Sequence, residues 1–156
     1  MQTKKSSVTV IALVVAMGGF LMGFDASVIS GVIKFIEPEF QLSKIELGWA
    51  VASLSLSATM AMMFAGPISD KYGRIIVLKY SALLYAISAI LSAVAPSFFI
   101  LVFARMLAGI GVGISLIIAP MYIAEIAPAA KRGKMVSFNQ LNIVIGLSVA
   151  FFTNYL

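Results

Sequence analysis

"GGFLMGFDASVISG", residues 18–31, is the stretch whose reading decides the fold. Asp25 is its one charged residue, and the apolar run around it extends from about Val8 to Ile33. A bilayer core needs about 20 predominantly apolar residues per helix, so this run is long enough to span. It is too long for the apolar core of a signal peptide and has no small-residue cleavage site, which predicts a retained helix. A charge at the centre of such a helix costs roughly 2.5–3.5 kcal/mol. Something must therefore keep Asp25 there.

The rest of the chain has the same character. Of 156 residues, 62% are hydrophobic, with eleven basic and six acidic residues in all. The mean hydropathy of +1.08 lies far above that of a water-soluble domain. The absence of cysteine excludes disulfides and thiolate chemistry. Without histidine as well, zinc sites of the usual kind and the commonest general base are missing, so neither a metal, a cofactor nor an enzyme activity is expected. The net charge of +5 suggests no nucleic-acid partner, because the basic residues sit in short loops between apolar runs.

These runs predict an all-α polytopic membrane protein with spans at approximately 8–33, 47–65, 75–95, 98–123 and 135–156. Trp49 is placed as an interfacial anchor, and Lys79 is close enough to a span end to snorkel. Lys4, Lys5, Lys71, Arg74, Lys79, Lys131, Arg132 and Lys134 fall on one side; only Lys34 and Lys44 fall on the other. The positive-inside rule then puts the N-terminus in the cytoplasm of a plasma or inner membrane. Glu37, Glu39 and Glu46 collect in the outer loop. Five spans are an odd number for a repeat-built transporter, so the chain is expected to be a fragment or to need a partner over its open face.

Arg105 is the second charge well inside a span. Asp25 lies eight residues from the outer end of the first span, about 12 Å at 1.5 Å per residue. Arg105 lies seven residues from the outer end of the fourth, about 10 Å. Equal depth on oppositely directed helices predicts a buried pair. Apolar replacements of such pairs are often neutral or stabilising, so stability is a weak reason to keep one. An ionisable group in a span points instead to function. Asp25 reads as a proton carrier, with burial favouring its neutral form and Arg105 its charged one. A purely structural ion pair is the plain alternative.

Between the second and third spans lies "GPISDKYGR", Gly66–Arg74. Gly66 is expected to let two backbones approach, Asp70 to face the next helix start, Gly73 to make the turn and Arg74 to offer a forked donor. Gly109 and Gly113 form a Gly-x3-Gly face suited to close helix packing in lipid. The loop resembles the signature of the major facilitator superfamily. "RMLAGIGVG", "PMYIAEIAPAAKRG", "GFDASVISG" and "NQLNIVIG" resemble, in order, motifs of its sugar porter family.

The resemblance implies the first five helices of the N-terminal six-helix half of a twelve-helix fold. It also implies transmembrane transport of a monosaccharide, coupled to a proton by alternating access. Asp25 matches the proton-linked acid of bacterial proton–sugar symporters, and Arg105 its paired arginine; facilitators tend to carry a neutral residue at position 25. Gln140 matches a glutamine that hydrogen-bonds sugar hydroxyls, and its amide both donates and accepts. Ile143 and Leu147 share its helix face. Met22 stands where some relatives carry an aromatic, and Leu147 where some pentose symporters carry a polar residue. Glu125, Arg132 and Gly133 complete a motif that implies a cytoplasmic salt-bridge cluster with Arg74. The implied partners are a monosaccharide, a proton, the bilayer, and a missing C-terminal half or partner chain. A carrier for a polyol or organic ion, a sugar sensor without flux and a non-transporting fragment are the rival readings.

Overall fold

The computed structural model describes the backbone of residues 2–155 and the side chains of residues 14–155. Lys4 and Lys5, counted above for sidedness, lie outside the described side chains. Five α-helices account for nearly all of the described chain: α1 Gln2–Phe40, α2 Lys44–Tyr72, α3 Arg74–Ala93, α4 Phe98–Ile126 and α5 Arg132–Tyr155. A single 3₁₀ turn, Ala129–Lys131, leads into α5. All five helices are long and apolar enough to cross a membrane.

The helices outlast the apolar runs. α1 continues through the polar stretch from Lys34 and closes only at Phe40, with Pro38 in its last turn. α2 starts at an N-cap: Ser43 Oγ accepts from the Glu46 amide, and the Ser43 amide donates to Glu46 Oε2 at 2.8 Å. At its other end α2 runs through Asp70, Lys71 and Tyr72, so that only Gly73 separates it from α3. Gly73 has φ 91° and ψ 145°, a conformation essentially confined to glycine. Its amide donates to the Ser69 carbonyl at 2.9 Å, ending one helix as the next begins.

α4 is the central rod. It packs along α2 and α3 and crosses α1, while α5 lies along α1. Two parallel pairs use the same device. In the first, Gly109 and Gly113 of α4 press against the Leu54 and Ala58 carbonyls of α2. In the second, Gly23 of α1 presses against the Ile143 carbonyl of α5, and Gly146 of α5 against the Phe20 carbonyl of α1. Because lipid tails are as apolar as leucine, such close backbone packing is what holds membrane helices together. Gly66 does not take part: it lies on a flank of α2 that no described helix covers, and a Cβ there would meet nothing within 4 Å. Its expected close approach is absent.

Side chains of α4 enter apolar clusters at three levels: Leu101 with Ile29 and Ile36, Ala108 and Val112 with Met22, Leu54 and Ala58, and Ile118 with Ala65 and Val77. The outer surface is apolar too. Phe99 is 84% exposed, Ile45 76% and Phe35 74%, which fits a bundle whose solvent is hydrocarbon. The chain is a multi-pass membrane protein.

Candidate functional site

Asp25 and Arg105 meet. Arg105 Nη1 donates to Asp25 Oδ1 at 3.1 Å, across the contact of α1 with α4. The residues around them explain why. Ile29 packs with Leu101 one turn to one side of the pair, and Met22 with Ala108 one turn to the other. These contacts fix the register of two antiparallel helices, so the charges face each other. Arg105 is only 5% exposed. One oxygen of the acid and one nitrogen of the base remain spare: Asp25 Oδ2 and Arg105 Nε are buried without a hydrogen-bond partner. A carboxylate held by one donor and keeping one free oxygen is equipped to take up a proton.

Towards the end where α1 and α3 begin, a cavity of about 420 Å³ opens between α1, α3, α4 and α5. Met22 and Ile143 line it, as do Ser81, Tyr85, Ser115 and Asn139. Ser81 and Ser115 hydroxyls join α3 to α4 at 3.0 Å. Met22 is buried and belongs to the mid-membrane cluster. Gln140 and Leu147 lie outside this cavity, on exposed parts of α5. The two expected pairs of substrate contacts therefore separate: Met22 and Ile143 supply apolar wall, while Gln140 keeps an exposed amide.

The sequence reading missed Asn139, the residue beside Gln140. Asn139 is 3% exposed, lies against Gly19, and leaves its Oδ1 unpartnered. Gly19-x3-Gly23, a small-residue face facing α5, was the signal that could have found it. Asn154 was missed as well; its amide donates to the Ser27 carbonyl at 3.2 Å and ties the outer ends of α1 and α5.

At the end of the bundle where α3 begins, a second polar cluster surrounds Arg74, the first residue of α3. Its Nε donates to Glu125 Oε1 of α4 at 3.1 Å, its Nη1 to Ser69 Oγ at 2.7 Å, and it also pairs with Asp70 across the Gly73 link. Asp70 thus holds Arg74 rather than capping a helix start. Arg132 is exposed at the start of α5 and makes no ion pair among the described residues; a Cβ on Gly133 would meet nothing within 4 Å. Arg74, Glu125 and Asp70 come together, and Arg132 stays apart.

A helical membrane bundle with a buried acid–base pair at its centre defines the class. The sequence matches the family described as "Sugar (and other) transporter" over residues 11–156, and the chain belongs to that family of transporters. It is similar to a D-xylose transporter of Levilactobacillus brevis, with 39% identity over 140 residues, covering 90% of this chain and 31% of that protein. It is also similar to a galactose-proton symporter of Escherichia coli, with 35% identity over 153 residues, covering 98% and 33%. Among solved structures it resembles the major facilitator proton:xylose symporter XylE of E. coli bound to 6-bromo-6-deoxy-D-glucose. The TM-score is 0.88 at 35% identity, over 97% of this chain and 38% of that one. The chain spans about a third of the length of these curated relatives.

Proposed function

We propose that this chain forms one side of a carrier that moves a monosaccharide across the membrane together with a proton. The observation that carries the reading is the Asp25–Arg105 contact of 3.1 Å between α1 and α4, with the second carboxylate oxygen unpartnered. Such a site holds its proton by a balance between burial and one nearby positive charge. Protonation of Asp25 releases Arg105, and the freed guanidinium biases the packing of α1 against α4. The kinship with a galactose-proton symporter and a D-xylose transporter supports sugar as the cargo.

In this reading Gln140 hydrogen-bonds sugar hydroxyls, with Leu147, Ile143 and Met22 as the apolar surroundings. The opposite wall of the site comes from the remaining length that the relatives possess, as a second half or a partner chain. The two sides rock about a midplane site to give alternating access. Arg74, Asp70 and Glu125 form the cytoplasmic latch; Arg132 and Gly133, at the start of α5, join it from the facing side in the outward-facing state. Gly66 and Gly73 bracket the last turns of α2, which carry Asp70. The N-terminus is cytoplasmic, since the basic residues crowd that side.

The test is uptake into proteoliposomes by this chain alone and by this chain co-purified with the complementary helices of the D-xylose transporter. Concentrative, pH-gradient-driven sugar uptake is expected from the complex and not from the chain alone. Sugar binding without flux by a stable complex would make the protein a sensor instead, and uptake confined to polyols or organic ions would change the cargo.

A further inference from the structure

Tyr85 carries a buried hydroxyl that the account above leaves unused. It sits on α3, in a span whose other neighbours are apolar or small. Its ring packs on Gly111 of α4, where an added Cβ would meet ring carbons at 3.3 and 3.4 Å. It also packs against the cluster of Met22, Ala108 and Val112. Met22 is one turn from Asp25, and Ala108 one turn from Arg105. Tyr85 of α3 thus packs beside the corner where α1 crosses α4. Its hydroxyl is buried and has no hydrogen-bond partner. The same is true of Asp25 Oδ2.

An orphaned buried donor and an orphaned buried acceptor each carry a desolvation penalty, and a contact between them relieves both. We propose that Tyr85 is a positioning residue for the ion pair: its hydroxyl donates to Oδ2 of the ionised Asp25 carboxylate, while Arg105 holds Oδ1. When Asp25 takes up a proton, that oxygen ceases to be a strong acceptor and the phenol is released. The proton stays on Asp25 throughout, and Tyr85 remains protonated. Tyr85 thereby links α3 to the protonation state of α1, a connection that Arg105 alone makes only to α4. This inference rests on the reading of Asp25 as the titrating group.

The groups able to disturb that titration are few. Arg105 pairs with Asp25 from α4; Tyr85 lies on α3, with Lys79 and Tyr122 on the wall of the same cavity. Residues 47–69 of α2 and 135–154 of α5 contain no ionisable side chain.

The chain has two aspartates, Asp25 and Asp70, so ¹³C-aspartate labelling in an Asp70→Asn background isolates the Asp25 carboxyl band in infrared spectra. The protein is measured in lipid nanodiscs as a function of pH, with and without Tyr85→Phe, which keeps the ring on Gly111. Loss of a donor to the anion makes the carboxylate hold its proton more tightly. The Asp25 midpoint should therefore rise by about one pH unit in the Phe variant. An unchanged midpoint overturns the proposal. Should the Phe variant fail to fold, the Tyr85 ring band decides, isolated by ¹³C-tyrosine in a chain whose other four tyrosines are phenylalanine. It should shift across the Asp25 titration and stay fixed in Asp25→Asn; a band insensitive to both overturns the proposal as well. Neither readout requires transport. A shifted midpoint beside absent sugar uptake by the assembled carrier would defeat the transport reading and leave the Tyr85 contact standing.

Discussion

The carbonyl oxygen of Ile143 occupies the space where a side chain on residue 23 would begin. α1 and α5 therefore touch backbone to backbone two residues before Asp25, and the acid's position depends on that contact. The same holds on the other side of the pair, where Gly109 and Gly113 seat α4 on α2 beyond Arg105. The ion pair sits between two glycine seams, and each seam sets the height of one charge.

Gly23→Ala should be destabilising well beyond its size. The obstacle is a main-chain carbonyl, which cannot swing aside as a side-chain tip does, so the helices must part; about 1–3 kcal/mol is expected for such overpacking. Gly18→Ala, one turn nearer the inner end and open to space, should instead be neutral or stabilise by about 0.5–1 kcal/mol through helix propensity. Denaturant titration of both variants in the same detergent checks the contrast. Equal effects would argue against the seam.

Gly73→Ala tests the link between α2 and α3. At φ 91° a Cβ is strained whatever space surrounds it. A loss of about 1–3 kcal/mol is expected, without change in the packing of α4 on α2. Thermal unfolding followed by circular dichroism reports the first, and cross-linking of cysteines placed at Ala58 and Val112, which share one apolar cluster, the second.

Arg74 and Glu125 should contribute little to the stability of the isolated bundle. Glu125 is half exposed, and ion pairs of that kind are worth about 0.2–1 kcal/mol. A double-mutant cycle with Arg74→Gln and Glu125→Gln measures the coupling. A value several times larger would place the cluster among the main supports of the fold rather than at a latch.

Removing one member of the central pair should be far more damaging. Arg105→Leu leaves Asp25 buried without its partner, and about 3–5 kcal/mol is expected for such an unpaired charge. The double variant Asp25→Asn with Arg105→Leu should recover most of that loss. If the single variant is as stable as the double, Asp25 is neutral in the resting bundle and the ion pair is not its ground state.

Much of this was legible in the residues. Apolar runs of bilayer length gave five helices, and counting 1.5 Å per residue from the outer span ends put Asp25 and Arg105 at one level. What hydropathy does not report is where a helix stops. Lys34–Phe40 and Asp70–Tyr72 are polar because they leave the hydrocarbon, yet they stay helical: Pro38 removes one amide donor in the last turn of α1, and the backbone leaves the helical pattern only at Gln41 and Gly73. The same blindness affects facing. Asn139 and Gln140 are chemically alike and adjacent, about 100° apart on α5; Gly19 on the neighbouring helix decides which of them is buried. Tyr85 was invisible for a similar reason: an aromatic in an apolar span looks lipid-facing until Gly111 of α4 admits its ring. Arg132 was grouped with Arg74 by resemblance, but the 3₁₀ turn at Ala129–Lys131 leaves it exposed, unpaired with Glu125.

Proton coupling through Asp25 is tested most directly by placing Asp25→Asn in the assembled carrier and comparing two assays. Asparagine keeps the size and a hydrogen-bonding amide but cannot carry a proton. Counterflow exchange of sugar should persist while accumulation driven by a pH gradient disappears. Continued accumulation against a sugar gradient by the Asn variant would contradict the account.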